Sequence, residues 1–193
     1  MTKRSPYARK VRIIALEKGI KMDLVDEDLK HKSKLLLDSN PIGRIPTLIL
    51  DDGRTLCDSS VICEYLESVK ECPRFYPKDA DQRLEVLNLD LIAKSLTEVT
   101  VAIFYEHLRH PENPHQNFLN AQQETILRTL RYLEKNLKHL NELSVASVSA
   151  ACAIGYLKFR QPRIWDKAQC RQLSQWHDDL LKRPSFSQTV PIE

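Results

Sequence analysis

The sequence has 193 residues, of which 42% are hydrophobic and 28% charged, and its net charge is +3. This composition is that of an ordinary globular protein, with enough apolar material for one large domain or two small ones. A charge this small and scattered argues against a nucleic-acid partner, and no apolar stretch resembles a membrane span or a signal peptide, so we expect a cytoplasmic protein with reduced cysteines.

The first predicted element is a helix between Ser5 and Gly19. Ser5 is a favourable N-cap, Pro6 suits the first helical position, and Gly19 is typical of the residue that follows a last turn. Four apolar residues recur at helical spacing and predict the buried face: Tyr7, Val11, Ile14 and Ala15. Three basic residues fall off this face: Arg9, Lys10 and Arg12.

Two short elements are predicted in the next part of the chain. Met22–Asp26 alternates apolar and polar residues, which predicts a short strand. Lys34–Asp38 predicts a brief helix, which Asn40-Pro41 ends because the residue before a proline avoids the helical conformation.

A β-hairpin followed by a helix comes next. Asp52-Gly53 lies between two apolar runs and is a strong hairpin signal, which places strands at 47–50 and 54–57. Ile45-Pro46 stands just before the first strand, where a proline is tolerated and a cis peptide bond is compatible with the chain. Asp58-Ser59 opens the following helix with a carboxylate, a hydroxyl and free main-chain N–H groups. Such a set of groups is suited to a small zwitterionic peptide.

The rest of the chain is predicted to be helical. Residues 71–78 contain two prolines and break the periodicity, which indicates a linker. Apolar residues at helical spacing then predict four helices, at 79–110, 116–139, 144–159 and 166–182. The third is rich in small apolar residues and is expected at the centre of a bundle. We therefore divide the chain into a first domain at 1–70, the linker, and a helical domain at 79–193.

This arrangement resembles the glutathione S-transferase superfamily. Four stretches carry the resemblance: Ser5–Val11, Asn40–Leu48, Asp58–Ile62 and Arg183–Phe186. Residues 150–160 further resemble the core helix of its small bacterial YibF-like members. The resemblance implies an α/β, thioredoxin-like N-terminal domain that binds glutathione, followed by an all-helical C-terminal domain, usually in a homodimer.

The resemblance also implies roles for particular residues. Ser5 matches the catalytic position, where a hydroxyl at a helix N-terminus donates a hydrogen bond to the glutathione thiolate. The main chain of Ile45, held by a cis Pro46, would pair with the cysteinyl part of glutathione. Asp58 and Ser59 would hold its γ-glutamyl group. The implied activity is transfer of the thiolate to a small hydrophobic electrophile, in a pocket walled by helices of the C-terminal domain.

Two departures from the family pattern affect these expectations. The family has a β-strand before the Ser-Pro turn, but only four residues precede Ser5 here, so we expect the first strand to be missing and the first domain to be compromised. The family also places an aspartate three residues after the cap of the core helix. Ser147 lacks that carboxylate, so we expect roughly 0.5–1 kcal/mol less cap stability.

Other interpretations remain open at this stage. Ser5 could be only a helix cap, and Pro46 could be an ordinary trans proline. The protein could also be a catalytically weak or inactive member that acts as a binding or regulatory partner, which the missing strand favours. Thiol–disulfide exchange is disfavoured because position 5 is not a cysteine. Three histidines suggest a metal site, but two prolines interrupt the chain between them and no metal is expected: His107, His110 and His115.

Overall fold

The computed structural model describes residues 3–192 and divides the chain into two compact units. The first unit contains the residues up to Tyr76 together with those from Arg183 onward, and the second runs from Pro77 to Lys182. Met1 and Thr2 lie outside the described residues. The predictions that the N-terminus carries no signal peptide and that the first strand is missing fall partly on these two residues.

Short elements precede the linker and long helices follow it. Before Pro77 the elements are α1 (Pro6–Lys18), α2 (Lys34–Ser39), β1 (Thr47–Ile49), β2 (Thr55–Cys57) and α3 (Ser59–Val69). After it come α4 (Ala80–Arg109), α5 (Gln116–Lys135), a 3₁₀ helix (Leu137–Leu140), α6 (Val145–Arg160), α7 (Pro162–Ala168), α8 (Arg171–Leu180) and α9 (Pro184–Ser187). Within the described residues, no helix is both long and apolar enough to cross a membrane.

The first helix is confirmed at both ends, but its burial differs from the prediction. Ser5 Oγ accepts a hydrogen bond from the Ala8 N–H at 3.2 Å, and Gly19 ends the helix in the left-handed conformation with φ of 61°. Arg9 and Lys10 were expected off the buried face, yet they are only 3% and 4% exposed. Helix α1 packs against α3 and also against α9, and it is the α9 segment that covers Arg9.

A second difference from the prediction concerns the domain to which the C-terminal segment belongs. We expected residues 79–193 to form one helical domain, but α9 packs on α1 in the first unit. The Arg9 guanidinium donates to Phe186 O at 3.2 Å and to Thr189 Oγ1 at 3.4 Å, and Phe186 is fully buried. Arg183 adds an ion pair with Glu17 at 2.6 Å.

The strand predicted at Met22–Asp26 is wrong. These residues have no regular secondary structure, and Leu24 and Val25 are 53% and 59% exposed. A strand needs a neighbour to accept its main-chain hydrogen bonds, and the sheet of residues 3–192 contains β1 and β2 alone. No strand precedes α1 within that range.

The hairpin and the helices of the second unit largely follow the prediction. Strands β1 and β2 pair antiparallel around Gly53, whose φ of 84° only a glycine adopts without strain. Helix α6 is buried along most of its length and packs against α4, α7 and α8, which places it at the centre of the unit. The predicted helix at 166–182 is instead two helices, because Gln169 takes a left-handed conformation with φ of 54° between α7 and α8.

The expected weakness of the α6 cap is also corrected. Ser147 Oγ accepts a hydrogen bond from the Ser144 N–H at 2.8 Å, and Ser144 Oγ accepts one from the Ser147 N–H at 3.3 Å. The hydroxyl of Ser147 therefore completes a reciprocal capping box in place of the carboxylate.

Candidate functional site

The register of the hairpin brings four of the five predicted site residues together. Thr47 pairs with Cys57, so the residues just before β1 and just after β2 lie at the same end of the two strands. Ile45-Pro46 enters β1 there, and Asp58-Ser59 leaves β2 to begin α3. The Ile45–Pro46 peptide bond is cis, as expected.

Ile45 presents an unused main chain at this position. Among residues 3–192, its N–H and C=O have no main-chain hydrogen-bonding partner, and its side chain is half-buried. Regular pairing with β2 begins only at Thr47. An extended peptide can use such free groups as a further strand would.

Asp58 caps α3 from an unusual conformation. Its φ of 73° and ψ of 139° lie in a region that residues other than glycine rarely adopt, and its carboxylate accepts a hydrogen bond from the Ser60 N–H at 2.8 Å. Ser59 follows as the first helical residue and is only 1% exposed. Unfavourable backbone conformations of this kind cluster at binding sites, because the surrounding structure has to maintain them.

Ser5 lies on a different element from these four residues. It caps α1, which packs against α3 within the first unit. The hydroxyl oxygen accepts the bond from Ala8 and still carries a proton, so capping and donation to an anion are compatible. The cap interpretation and the catalytic interpretation of Ser5 therefore do not exclude each other.

The amino-terminal half of α1 is electropositive. Arg9, Lys10 and Arg12 follow Ser5 closely, and the first turn contains no acidic residue. Burial lowers the pKa of Arg12, and the neighbouring charge of Arg9 lowers it further, as is expected where two cations lie close together. Together with the helix dipole, this field favours an anion near the start of the helix.

Two residues of this region were missed by the sequence analysis. Asn40 is 2% exposed, and its side chain binds the loop that leads to Ile45. Lys32 is exposed, and its Nζ lies 3.1 Å from the position that a side-chain Cβ would take at Gly43 in the same loop. The Asn-Pro pair was interpreted only as a helix stop, although a buried asparagine before a loop often organises it.

The histidines do not form a metal centre. Within residues 3–192, no group of three or more His, Cys, Asp or Glu side chains is arranged to bind a metal ion. His115 instead caps α5 by accepting a hydrogen bond from the Phe118 N–H at 3.2 Å. No disulfide joins the five cysteines, all of which lie in the described part of the chain.

Comparison with known proteins identifies the family. Residues 4–69 match the model described as glutathione S-transferase, N-terminal domain. A glutathione transferase family member from Pseudomonas fluorescens Pf-5, crystallised with bound glutathione, superposes with a TM-score of 0.92 at 32% identity over 100% of this chain and 98% of that chain. A glutathione S-transferase from Methylobacillus flagellatus KT, also with glutathione bound, gives a TM-score of 0.93 at 33% identity with the same coverage. The chain belongs to the glutathione S-transferase family.

A curated relative supports the narrower resemblance. The chain is 29% identical over 191 residues to the uncharacterized GST-like protein YibF of Escherichia coli K12, an alignment that covers 97% of this chain and 95% of that protein. The predicted family and fold class are thus confirmed. The fold is a thioredoxin-like domain, with a two-stranded sheet among its described residues, followed by an all-helical domain.

Proposed function

We propose that this protein transfers the thiolate of glutathione to a small hydrophobic electrophile. The proposal rests on one observation: the free main chain of Ile45 and the start of α3 lie at the same end of the hairpin. A tripeptide with a carboxylate at each end and an ammonium group fits a site with main-chain groups, a helix N-terminus and a carboxylate. The glutathione bound in two similar crystal structures is consistent with this ligand.

Ser5 is the proposed catalytic residue. Its hydroxyl donates a hydrogen bond to the sulfur, and the dipole and cations of α1 favour the negative charge. A free thiol has a pKa of about 8.5, so stabilising the anion by one or two pKa units makes it largely thiolate at neutral pH. Serine supplies no nucleophile of its own, because the reacting sulfur belongs to glutathione.

Four further residues are proposed to bind glutathione. The N–H and C=O of Ile45, presented by Pro46, pair with the cysteinyl residue. Asp58 binds the ammonium of the γ-glutamyl group, while Ser59 and the N–H groups of α3 bind its carboxylate. The first domain, residues 1–70, is therefore the proposed glutathione-binding domain.

Lys32 completes the charge balance of this site. Its ammonium lies over the loop at Gly43, which leads directly to Ile45. We assign it the glycyl carboxylate of glutathione, a charged group to which the other proposed residues give no binding partner. Lysine suits this role because its flexible stem carries a compact point charge.

The proposed working form is a cytoplasmic homodimer. Three leucines at helical spacing on α4 are all exposed: Leu84 at 69%, Leu87 at 38% and Leu91 at 60%. An apolar stripe of this kind is suited to a second copy of the chain. The five cysteines form no disulfide among residues 3–192, which is consistent with a reducing compartment.

Titration and turnover with one variant test the proposal. Calorimetry should show glutathione binding to the wild-type protein, and conjugation of a chromogenic aryl halide should proceed. Ser5→Ala should retain binding within about threefold but lose on the order of 10–100-fold in kcat, because the thiolate loses its hydrogen bond. His115→Ala, which removes the cap of α5 outside the site, is the matched control and should retain kcat.

The outcomes separate the interpretations. Binding without conjugation in the wild type would support the alternative of a binding or regulatory protein. Undiminished turnover in Ser5→Ala would remove Ser5 from the chemistry. Absence of any glutathione binding would overturn the proposed function.

A further inference from the structure

Asn40 has an unusually complete set of hydrogen bonds for one loop residue. Its main-chain N–H donates to Leu36 O at 2.9 Å, and its C=O accepts from the Gly43 N–H at 2.8 Å. Its side-chain Oδ1 accepts from the Ile42 N–H at 3.0 Å. The amide Nδ2 donates to Arg44 O at 2.9 Å and to Thr47 Oγ1 at 3.0 Å.

These bonds hold both residues that flank Ile45-Pro46. Arg44 precedes the pair and Thr47 follows it, so a single amide group fixes the two ends of the dipeptide. Thr47 strengthens the arrangement, because its own hydroxyl donates to Arg44 O at 2.8 Å. Ile45 itself makes no main-chain hydrogen bond within residues 3–192, so its orientation depends on these neighbours.

We propose that Asn40 and Thr47 are positioning residues, which hold the Ile45 main chain in the orientation that binds the cysteinyl part of glutathione. This inference rests on the proposed function. Neither residue has to touch the ligand for this role, and Asn40 is almost completely buried. Pre-organised binding groups raise affinity because the cost of ordering the loop is met on folding rather than on binding.

The role predicts a particular kinetic signature. Ser5 lies on α1 and not on this loop, so disturbing the loop should weaken glutathione binding without slowing the chemical step. Thr47→Val removes both the donor to Arg44 and the acceptor of Asn40. We expect it to raise the KM and Kd for glutathione about 5–20-fold while kcat at saturating glutathione stays within about twofold.

Two conservative variants and one control make the test specific. Thr47→Ser retains the hydroxyl and should restore the wild-type KM. Asn40→Asp retains the Ile42 contact but loses both N–H donors, so it should reproduce the raised KM even if Thr47→Val folds poorly. Thr100→Val removes a buried hydroxyl that donates to Leu96 O at 2.8 Å on α4, in the second unit, so it should lower Tm with an unchanged KM.

The measurements distinguish failure of this inference from failure of the proposed function. If the wild type binds glutathione and both Thr47→Val and Asn40→Asp lower Tm with an unchanged KM, the two residues are structural and the positioning role is overturned. If these variants lower kcat as much as they raise KM, the loop acts in the chemical step and the role is again overturned. If the wild type itself does not bind glutathione, the proposed function fails and this inference fails with it.

Discussion

Lys18 and Lys70 exchange hydrogen bonds across the carboxyl ends of α1 and α3. The Lys18 Nζ donates to Lys70 O at 2.6 Å, and the Lys70 Nζ donates to Lys18 O at 2.5 Å. The Lys18 side chain is completely buried, and its Nζ also contacts Pro73 O at 2.7 Å and the Glu67 carboxylate at 2.8 Å. Each lysine thus satisfies carbonyls that the end of a helix leaves without partners.

Removing the buried ammonium should therefore destabilise the first unit strongly. We expect Lys18→Met to lower the free energy of unfolding by about 3 kcal/mol, because it leaves the Lys70 and Pro73 carbonyls without this donor and removes the cation nearest to the Glu67 carboxylate. Urea denaturation measures the loss. Lys34→Met is the control, since Lys34 is 88% exposed in its ion pair with Asp38 and should change stability by less than about 0.5 kcal/mol. Equal effects of the two variants would contradict the structural role of Lys18.

The Glu17–Arg183 contact should make stability depend on pH. Burial raises the pKa of Glu17, but hydrogen bonds from Arg183 and Ser185 outweigh it and lower the pKa from its ordinary 4.5. A carboxyl whose pKa is lowered on folding adds stability above its unfolded pKa, and this stability is lost as the pH falls below 4.5 toward the folded value.

Glu17→Gln should accordingly be more harmful at neutral than at acidic pH. We expect it to lower the free energy of unfolding by about 1–2 kcal/mol at neutral pH and by clearly less at an acidic pH well below 4.5, where protonation of the wild-type carboxyl removes the stabilising contact. Denaturation at both pH values, with the exposed Glu124→Gln as control, provides the measurement. A pH-independent difference would be inconsistent with the assigned contact.

An acidic residue at position 147 should not increase the stability that the serine capping box gives to α6. Ser147 Oγ accepts from the Ser144 N–H and also donates to Ser144 O at 3.0 Å, and a carboxylate cannot make the second bond. We expect Ser147→Ala to cost about 1–2 kcal/mol and Ser147→Asp to give no gain, because the site is fully buried. Thermal unfolding, with Ser174→Ala as control, tests both. A stabilised Ser147→Asp would restore the family's aspartate as the better cap.

Substitutions of Asp58 should distinguish its role as a helix cap from its proposed role in binding glutathione. Asp58→Asn retains an acceptor for the Ser60 N–H but removes the charge proposed to bind the ammonium of glutathione. We expect a Tm close to that of the wild type and a Kd for glutathione raised about 5–20-fold, measured by calorimetry. Asp58→Gly relieves the positive φ but removes the side chain, so it should weaken binding at least as much. Unchanged affinity in both variants would exclude Asp58 from the site.

Elements with local signals were predictable from the sequence. The Ser5 cap and the Gly19 stop fix α1 through contacts within a single helix, and Asp52-Gly53 fixes the hairpin through its turn. The pairing of Thr47 with Cys57 follows from that turn, so the meeting of Ile45-Pro46 and Asp58-Ser59 could also be anticipated.

Features that depend on distant partners were not predictable. Arg9 is buried by α9, whose Phe186 lies 177 positions later, and no periodicity in α1 reports such a neighbour. Met22–Asp26 alternates like a strand but has no strand beside it among residues 3–192. Asn40 was recognised as a helix end, whereas its binding to Arg44 and Thr47 depends on how the loop folds back.

The return of the chain to its first unit has a consequence for biosynthesis. Phe186 and Thr189, which cover Arg9, are translated only after the entire second unit. The opening helix therefore leaves the ribosome well before these residues, and during that interval Arg9 lacks the carbonyl and hydroxyl oxygens that accept its hydrogen bonds in the folded protein. The entropic cost of closing a loop grows only slowly with its length, so the long chain between α1 and α9 does not by itself disfavour their contact. The contact forms late because α9 is synthesised last.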